Sequence, residues 1–244
     1  MSPRGPCVLV LAGLDPSGGA GLLADAEAIR AAGARPLCVA TALTVQTTRA
    51  ARKFQPVAPL FVQEAAAALL EEEDVRAIKI GMVGAEQVGR AIADLLARHR
   101  GIPLVVDPVL ASSSGAALFK GSGVATYLAL MQGAIVTPNV PEAAALLGRE
   151  VAGAGGLAEA ARELIRRGAG AAIVKGGHLD GDAIDVVDDG ARSERLAGPR
   201  LPIGKRGTGC RFASTVAAHL AQGLDLIASA RAAKEAVRGY LAAP

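Results

Sequence analysis

Aromatic residues make up only 2% of this 244-residue chain, and tryptophan is absent. A nucleic-acid surface built on base stacking needs exposed rings, so that class is set aside. The core must instead be packed by Ala, Val, Leu and Ile. Charge of one sign is scarce too: 26 Lys and Arg against 23 Asp and Glu leave a formal charge of +3, too balanced for a polyanion partner. Cysteine occurs three times, as Cys7, Cys38 and Cys210. The number is odd, the spacings are long, and there is no CxxC or Cys/His metal pattern. Neither a disulfide framework nor a zinc site is indicated, and a reducing cytoplasm is the simpler compartment. No apolar stretch approaches the ~20 residues of a membrane helix. The apolar run at 7–12 is too short for a signal sequence and passes straight into Gly13 and Asp15. With no fixed-period repeat and no long linker, residues 1–244 read as one domain.

Short apolar runs alternate with longer amphipathic ones. The pattern predicts strands at 7–12, 37–41, 77–80, 104–106, 134–136, 171–174 and 183–187. It predicts helices at 22–32, 59–73, 85–99, 122–131, 141–148, 157–167, 209–222 and 226–241. Several strands are apolar on consecutive residues, as strands covered on both faces are. The alternation implies βαβ units, hence an α/β fold with a mostly parallel central sheet between helical layers. Segment 188–206 is polar and contains Gly and Pro, which suits an edge hairpin followed by a mobile loop. In such sheets ligands bind beyond the carboxyl ends of the strands. Each polar motif below follows a predicted strand, so all can meet in one crevice.

Lys205-Arg206-Gly207-Thr208-Gly209-Cys210-Arg211 leads into an apolar helix. Two glycines around a threonine turn the backbone and aim unpaired helix N–H groups outward, which makes an anion site. Cys210 lies in it between two arginines, where a thiolate is stabilised. The run from Gly13 to Gly21, GLDPSGGAG, closes the first strand and opens a helix holding Asp25. It is neither GxGxxG nor a Walker A loop, and it reads either as a ligand contact or as a tight turn. Gln46 carries a donor and an acceptor on one amide, which suits a heteroaromatic edge or an ordinary loop. Met82 reads as core or as contact. Asp107, at a strand end before Pro108, is either a cap or a functional acid. Glu142 sits in a first helical turn, where the dipole favours an acid anyway; paired with Asp107 it can hold Mg²⁺. Lys175 leaves a buried strand beside two glycines and calls for an anion. His178 is as readily a loop residue as a ligand contact. His99 and His219 read as structural, and Cys7 and Cys38 as small buried hydrophobes.

Taken in order, GLDPSGGAG, TALTVQTT, IKIGM, VDPVLASSSG, VTPNVPEA, VKGGH and GTGC resemble the hydroxymethylpyrimidine/phosphomethylpyrimidine kinases of thiamine biosynthesis, in the ribokinase-like superfamily. The set is far more specific than any member. The resemblance implies a three-layer ribokinase-like fold, ATP and Mg²⁺, and phosphorylation of a pyrimidine hydroxymethyl group. In bifunctional members it implies a second phosphorylation to the pyrophosphate. It also implies a homodimer. By motif it assigns Gly13, Asp25, Gln46, Met82 and Val109 to the pyrimidine pocket, and Asp107 and Glu142 to Mg²⁺ and phosphate. Lys175, Asn139, Thr208, Gly209 and Arg206 are assigned to the nucleotide, and Gly207, Thr208 and Gly209 to an anion hole. Cys210 takes the hydroxyl-activating position, filled by Asp in many relatives of the superfamily.

The chain departs from the family pattern in three ways. Arg206 replaces a histidine before GTGC, Arg211 replaces a small residue after it, and the chain is short with a different loop before GTGC. The two arginines suggest an extra contact to ATP or substrate phosphate. A cation at a helix start opposes the dipole, so Arg211 needs an anion or a distant orientation. Pyridoxal/pyridoxine kinase, or a weakly catalytic pyrimidine-binding regulator, are the competing readings.

Overall fold

The computed structural model describes residues 5–111, 115, 118–177 and 181–243. His178 and the Ser112–Ser114 part of the VDPVLASSSG motif lie outside the described residues. Nine described strands form one sheet: β1 (Cys7–Leu14), β2 (Arg35–Gln46), β3 (Ala51–Pro56), β4 (Val75–Ile80), β5 (Leu104–Val106), β6 (Ile135–Val136), β7 (Ala171–Lys175), β8 (Ala183–Asp188) and β9 (Ser193–Gly198). Their order is β3-β2-β1-β4-β5-β6-β7-β8-β9. The block from β2 to β7 is parallel, and β3, β8 and β9 add antiparallel edges.

Eight helices are described: α1 (Gly21–Ala31), α2 (Pro59–Glu72), α3 (Glu86–Leu96), α4 (Gly123–Leu130), α5 (Val140–Leu147), α6 (Gly153–Arg166), α7 (Thr208–Ala221) and α8 (Leu226–Ala242). They divide between the two faces of the sheet, and β1 shows how. Its odd positions Cys7, Leu9 and Leu11 join a core with residues of α2 to α6. Its even positions Val8, Val10 and Ala12 join a second core with residues of α1, α7 and α8. The period of two along a strand thus feeds both layers, and the three-layer expectation is met. Each fully buried Leu, Ile or Val contributes roughly 1.5–3 kcal/mol.

All eight predicted helices are present, with ends shifted by a few residues. The sequence reading missed β3. Its residues, ARKFQP, are mostly polar because it is a half-exposed edge strand paired only with the end of β2, and edges carry charge to discourage further pairing. Segment 188–206 supplies only the second strand of an edge hairpin, β8–β9, whose first strand precedes it. Cys7 is buried as expected, but Cys38 is exposed, because it takes the outward place in the alternating burial of β2.

Chain order reverses at β1, whose neighbours β2 and β4 lie on opposite sides. A crevice opens at the carboxyl ends of the strands at such a switch point. That is where the polar motifs are found.

Candidate active site

A cavity of about 680 Å³ lies there. Its wall takes Gly13 from the end of β1, Thr44 and Gln46 from β2, and Met82 after β4. Asp107 and Val109 follow β5, Asn139 and Glu142 flank the start of α5, and Lys175 ends β7. The start of α7 supplies Gly207, Thr208, Gly209 and Cys210. A second cavity of about 380 Å³ shares Asn139, Lys175, Lys205, Thr208 and Gly209 with it.

Local sequence explains each placement. Gly207 caps α7 with φ +74°, a left-handed backbone that favours glycine. A Cβ there would stand 2.1 Å from the carbonyl oxygen of Gly19, so the anion loop is pressed against the loop after β1. Gly207→Ala therefore adds a backbone clash to the left-handed strain of about 1–2 kcal/mol. It is expected to lower the melting temperature, read by calorimetry. At Gly209 a Cβ would lie 3.1 Å from Lys175 Nζ and about 4 Å from the Asp107 carboxylate. The glycine lets the helix start sit directly against that pair.

Asp107 is 2% exposed. Its Oδ1 accepts from Lys175 Nζ at 3.0 Å and from Thr137 Oγ1 at 3.4 Å. Burial alone would push the Lys175 pKa down, but Asp107 and Glu142 overcome it and hold the ammonium protonated. Asn139 caps α5 in a reciprocal box: Glu142 N donates to Asn139 Oδ1 at 2.9 Å, and Asn139 N to Glu142 Oε2 at 2.8 Å.

Burial pushes the Glu142 carboxyl up to about 7, Lys175 pulls it down and Asp107 pushes it up. A raised folded pKa means that the native state holds this proton more tightly than the unfolded chain. The contribution is complete below the ordinary value of 4.5 and is lost as pH rises through about 7. Relative to Glu142→Gln, the wild type should therefore lose on the order of 2–3 kcal/mol between those limits. Thermal melts of both proteins across that range measure the difference, and a constant offset would contradict it.

Asp25 needs correction as a pocket residue. It is fully buried and does not line the cavity. Its carboxylate accepts two bonds of 2.9 Å from Lys79 Nζ and one of 2.8 Å from Ser214 Oγ. Lys79 is also fully buried, yet it does reach the cavity wall. Burial would lower its pKa; the Asp25 charge, helped by Asp107, reverses this and keeps it protonated. Lys79 was missed in the motif analysis, although a lysine inside the apolar run Ala77–Ile80 was a visible signal.

The thiol also behaves differently from expectation. Burial pushes Cys210 up to about 12, against the opposing pull of Lys79. The helix start does not lower the thiol as expected, because desolvation outweighs the pull of Lys79 and of the Gly21 backbone hydrogen bond. The arginines beside it in sequence are held by other partners, although Arg206 also lines the cavity. Arg211 pairs with Glu27 at 2.6 Å and lies 3.9 Å over the Tyr240 ring, so it finds the anion that a helix-start cation requires. The terminal nitrogens of Arg206, expected on phosphate, bond Asp15, Ser17 and the Thr47 carbonyl.

Two further residues shape the wall and were not foreseen. Tyr127 is fully buried; its hydroxyl accepts from Val83 N at 3.2 Å and lies 2.9 Å from the Gly81 carbonyl and 3.2 Å from that of Val109. It joins the segments bearing Met82 and Val109. Thr41 Oγ1 donates to the Met82 carbonyl. Gly13 meets Met82 closely, since a Cβ there would stand 2.6 Å from Met82 Sδ.

Known proteins resemble this chain in fold and sequence. A Clostridium difficile phosphomethylpyrimidine kinase structure superposes with TM-score 0.85 at 29% identity, over 96% of this chain and 99% of that one. A Staphylococcus aureus pyridoxal kinase in complex with AMP-PCP and pyridoxal gives 0.86 at 26%, over 97% and 88%. A Rhizobium meliloti hydroxymethylpyrimidine/phosphomethylpyrimidine kinase is 40% identical over 96% of this chain and 90% of its own. A Geobacter sulfurreducens thiamine biosynthesis bifunctional protein is also 40% identical, but this chain spans only 46% of its length. The family model described as phosphomethylpyrimidine kinase matches residues 15–244. With nearly the whole chain covered and the motif-bearing strand ends meeting in one crevice, the chain belongs to the phosphomethylpyrimidine kinase family.

Proposed function

We propose that this protein transfers the γ-phosphoryl group of ATP to the hydroxyl of hydroxymethylpyrimidine, and then to the resulting monophosphate. One observation carries the reading. The two cavities share a wall made of Asn139, Lys175, Lys205, Thr208 and Gly209. Two substrates placed one in each cavity meet at a lysine ammonium and a helix N-terminus, which is what a migrating phosphoryl group requires. The first cavity, with Gly13, Gln46, Met82 and Val109, takes the pyrimidine. The second, with Leu201, Ile203, Phe212 and Val237, takes the nucleotide base.

Catalysis in this reading is positioning and charge neutralisation. Lys175 neutralises the transferring phosphoryl oxygens. The N–H groups at the start of α7, held close by Gly207 and Gly209, receive the developing charge. Asp107 holds the Lys175 ammonium in place. Among the described residues no three acidic, His or Cys side chains cluster as a metal cage. Asp107 and Glu142 nevertheless fit Mg²⁺, which is commonly bound by one or two carboxylates together with waters and substrate phosphates. Bound there, Mg²⁺ would neutralise nucleotide phosphate charge. Cys210, with its proton retained, hydrogen-bonds the substrate hydroxyl, and general-base action is left a small share.

The whole chain, 1–244, acts as one kinase domain in this reading. No helix among the described residues is long and apolar enough to cross a membrane. Three free cysteines suit a reducing cytoplasm. Exposed Leu43 and Val45 on β2 and Leu60 and Phe61 on α2 support a homodimer.

Pyridoxal phosphorylation is the second reading, favoured by the structural likeness to the pyridoxal kinase complexed with AMP-PCP and pyridoxal. ADP release with Mg-ATP and each of hydroxymethylpyrimidine, its monophosphate and pyridoxal separates the two. Turnover on both pyrimidines, reduced in Cys210→Ala, is the expected result; turnover on pyridoxal alone would replace the reading.

A further inference from the structure

The first cavity contains a polar chain that phosphoryl transfer does not use. Asp15 is 3% exposed. Its Oδ1 accepts from Ser17 N at 2.9 Å and Ser17 Oγ at 2.6 Å. Its Oδ2 accepts from Arg206 Nη2 at 2.9 Å and Gln46 Nε2 at 3.2 Å. Arg206 Nη1 donates to the Thr47 carbonyl at 2.8 Å and to Ser17 Oγ at 3.3 Å. The Arg206 carbonyl accepts from Tyr240 Oη at 3.1 Å. One guanidinium, set just before the anion loop, thus ties the start of α7 to the loop after β1 and the end of β2.

The chemistry of the amide gives this clasp a consequence. A carboxylate at such burial requires a counter-charge, and Arg206 supplies it. Beside a carboxylate, an amide has only its NH₂ to offer, because its oxygen would face another acceptor. Gln46 therefore turns its NH₂ to Asp15, and its Oε1 remains for the cavity that the residue lines. An acceptor there favours a heteroaromatic ring that presents an N–H donor, as an aminopyrimidine does. It disfavours a ring with an anionic or acceptor oxygen at that place.

We propose that Arg206 is a positioning residue for substrate choice: acting through Asp15, it fixes the Gln46 amide so that the site selects a ring bearing an amino donor. The proposal rests on the pyrimidine-kinase reading. It also gives the departure from histidine at this position a role in recognising the ring.

Calorimetric binding of hydroxymethylpyrimidine and of its analogue lacking the amino group tests it, with wild type, Arg206→Met and Arg206→Lys. The wild type should favour the amino ligand by about tenfold or more. Arg206→Met should bring that ratio to within about threefold, and Arg206→Lys should keep most of it, since an ammonium still neutralises Asp15. Should Arg206→Met show no cooperative melt, Asp15→Asn, which frees the amide to turn, gives the same readout. Equal weakening of both ligands with the ratio preserved would mean a merely structural clasp and overturn the proposal. So would a wild type indifferent to the amine. A wild type that neither binds nor phosphorylates the pyrimidine would instead overturn the kinase reading beneath it.

Discussion

Replacing Lys175 with methionine should, on the proposed function, lower kcat by about 10²–10³, the usual cost of removing one preorganised charge from a site of developing negative charge. The expectation rests on position. Lys175 ends β7, contacts Asp107 at 3.0 Å, and lies on the wall common to both cavities. The substitution has a second, separable effect. Asp107 is almost wholly buried, and losing its cation leaves an uncompensated charge, a loss on the order of 3–5 kcal/mol of stability. Melting curves report that loss, while kcat corrected to the folded fraction reports the catalytic one. A corrected kcat within about threefold of wild type would remove Lys175 from the chemistry, whatever happened to stability.

The second large effect is expected at a residue that need not touch substrate. Lys79→Met should destabilise the protein by about 3–5 kcal/mol, because Asp25, whose carboxyl burial already pushes up, is then fully buried without its cation and must either hold an unpaired charge or take up a proton. Ser214 Oγ, at 2.8 Å from Asp25, offers one hydrogen bond but no charge. The double variant Lys79→Met/Asp25→Leu should recover most of that loss, since replacing a buried ion pair with apolar groups of similar volume is often neutral. Urea unfolding of the wild type, the single and the double variant measures both steps. A double variant as unstable as the single would show that the cost lay in packing around α1 and β4 rather than in charge.

These two pairs illustrate what could be read from sequence. Asp107 and Lys175 were legible because each follows an apolar strand, and topology delivers strand ends to one crevice. Their ion pair was not legible: 68 residues separate them, and only the neighbouring β5, β6 and β7 bring them together. Asp25 was placed among the pocket residues because it belongs to the helix after GLDPSGGAG. It faces Lys79 instead, because α1 packs that side of its surface onto the sheet beside α7. Arg206 and Asp15 lie 191 residues apart, beyond any local pattern.

Cys210 shows a different limit. The helix N-terminus was identified correctly, and it does favour a thiolate. How deeply the fold buries the thiol is a tertiary property, and burial carries it up to about 12. Strand β3 escaped notice because a polar edge strand lacks the apolar alternation that marks strands in sequence. The helices were the most legible elements. In α5, Asn139, Pro141, Glu142 and the left-handed Gly148 supply both ends of the helix within the local sequence.

In the proposed function one site performs two successive phosphoryl transfers to the same pyrimidine. Its most direct test is a time course of hydroxymethylpyrimidine with excess Mg-ATP, resolved by mass spectrometry into alcohol, monophosphate and pyrophosphate, beside the Lys175→Met variant. The monophosphate should rise and then fall as the pyrophosphate accumulates, and the variant should slow both steps. Accumulation of monophosphate alone, or a variant that slows only one step, would contradict it.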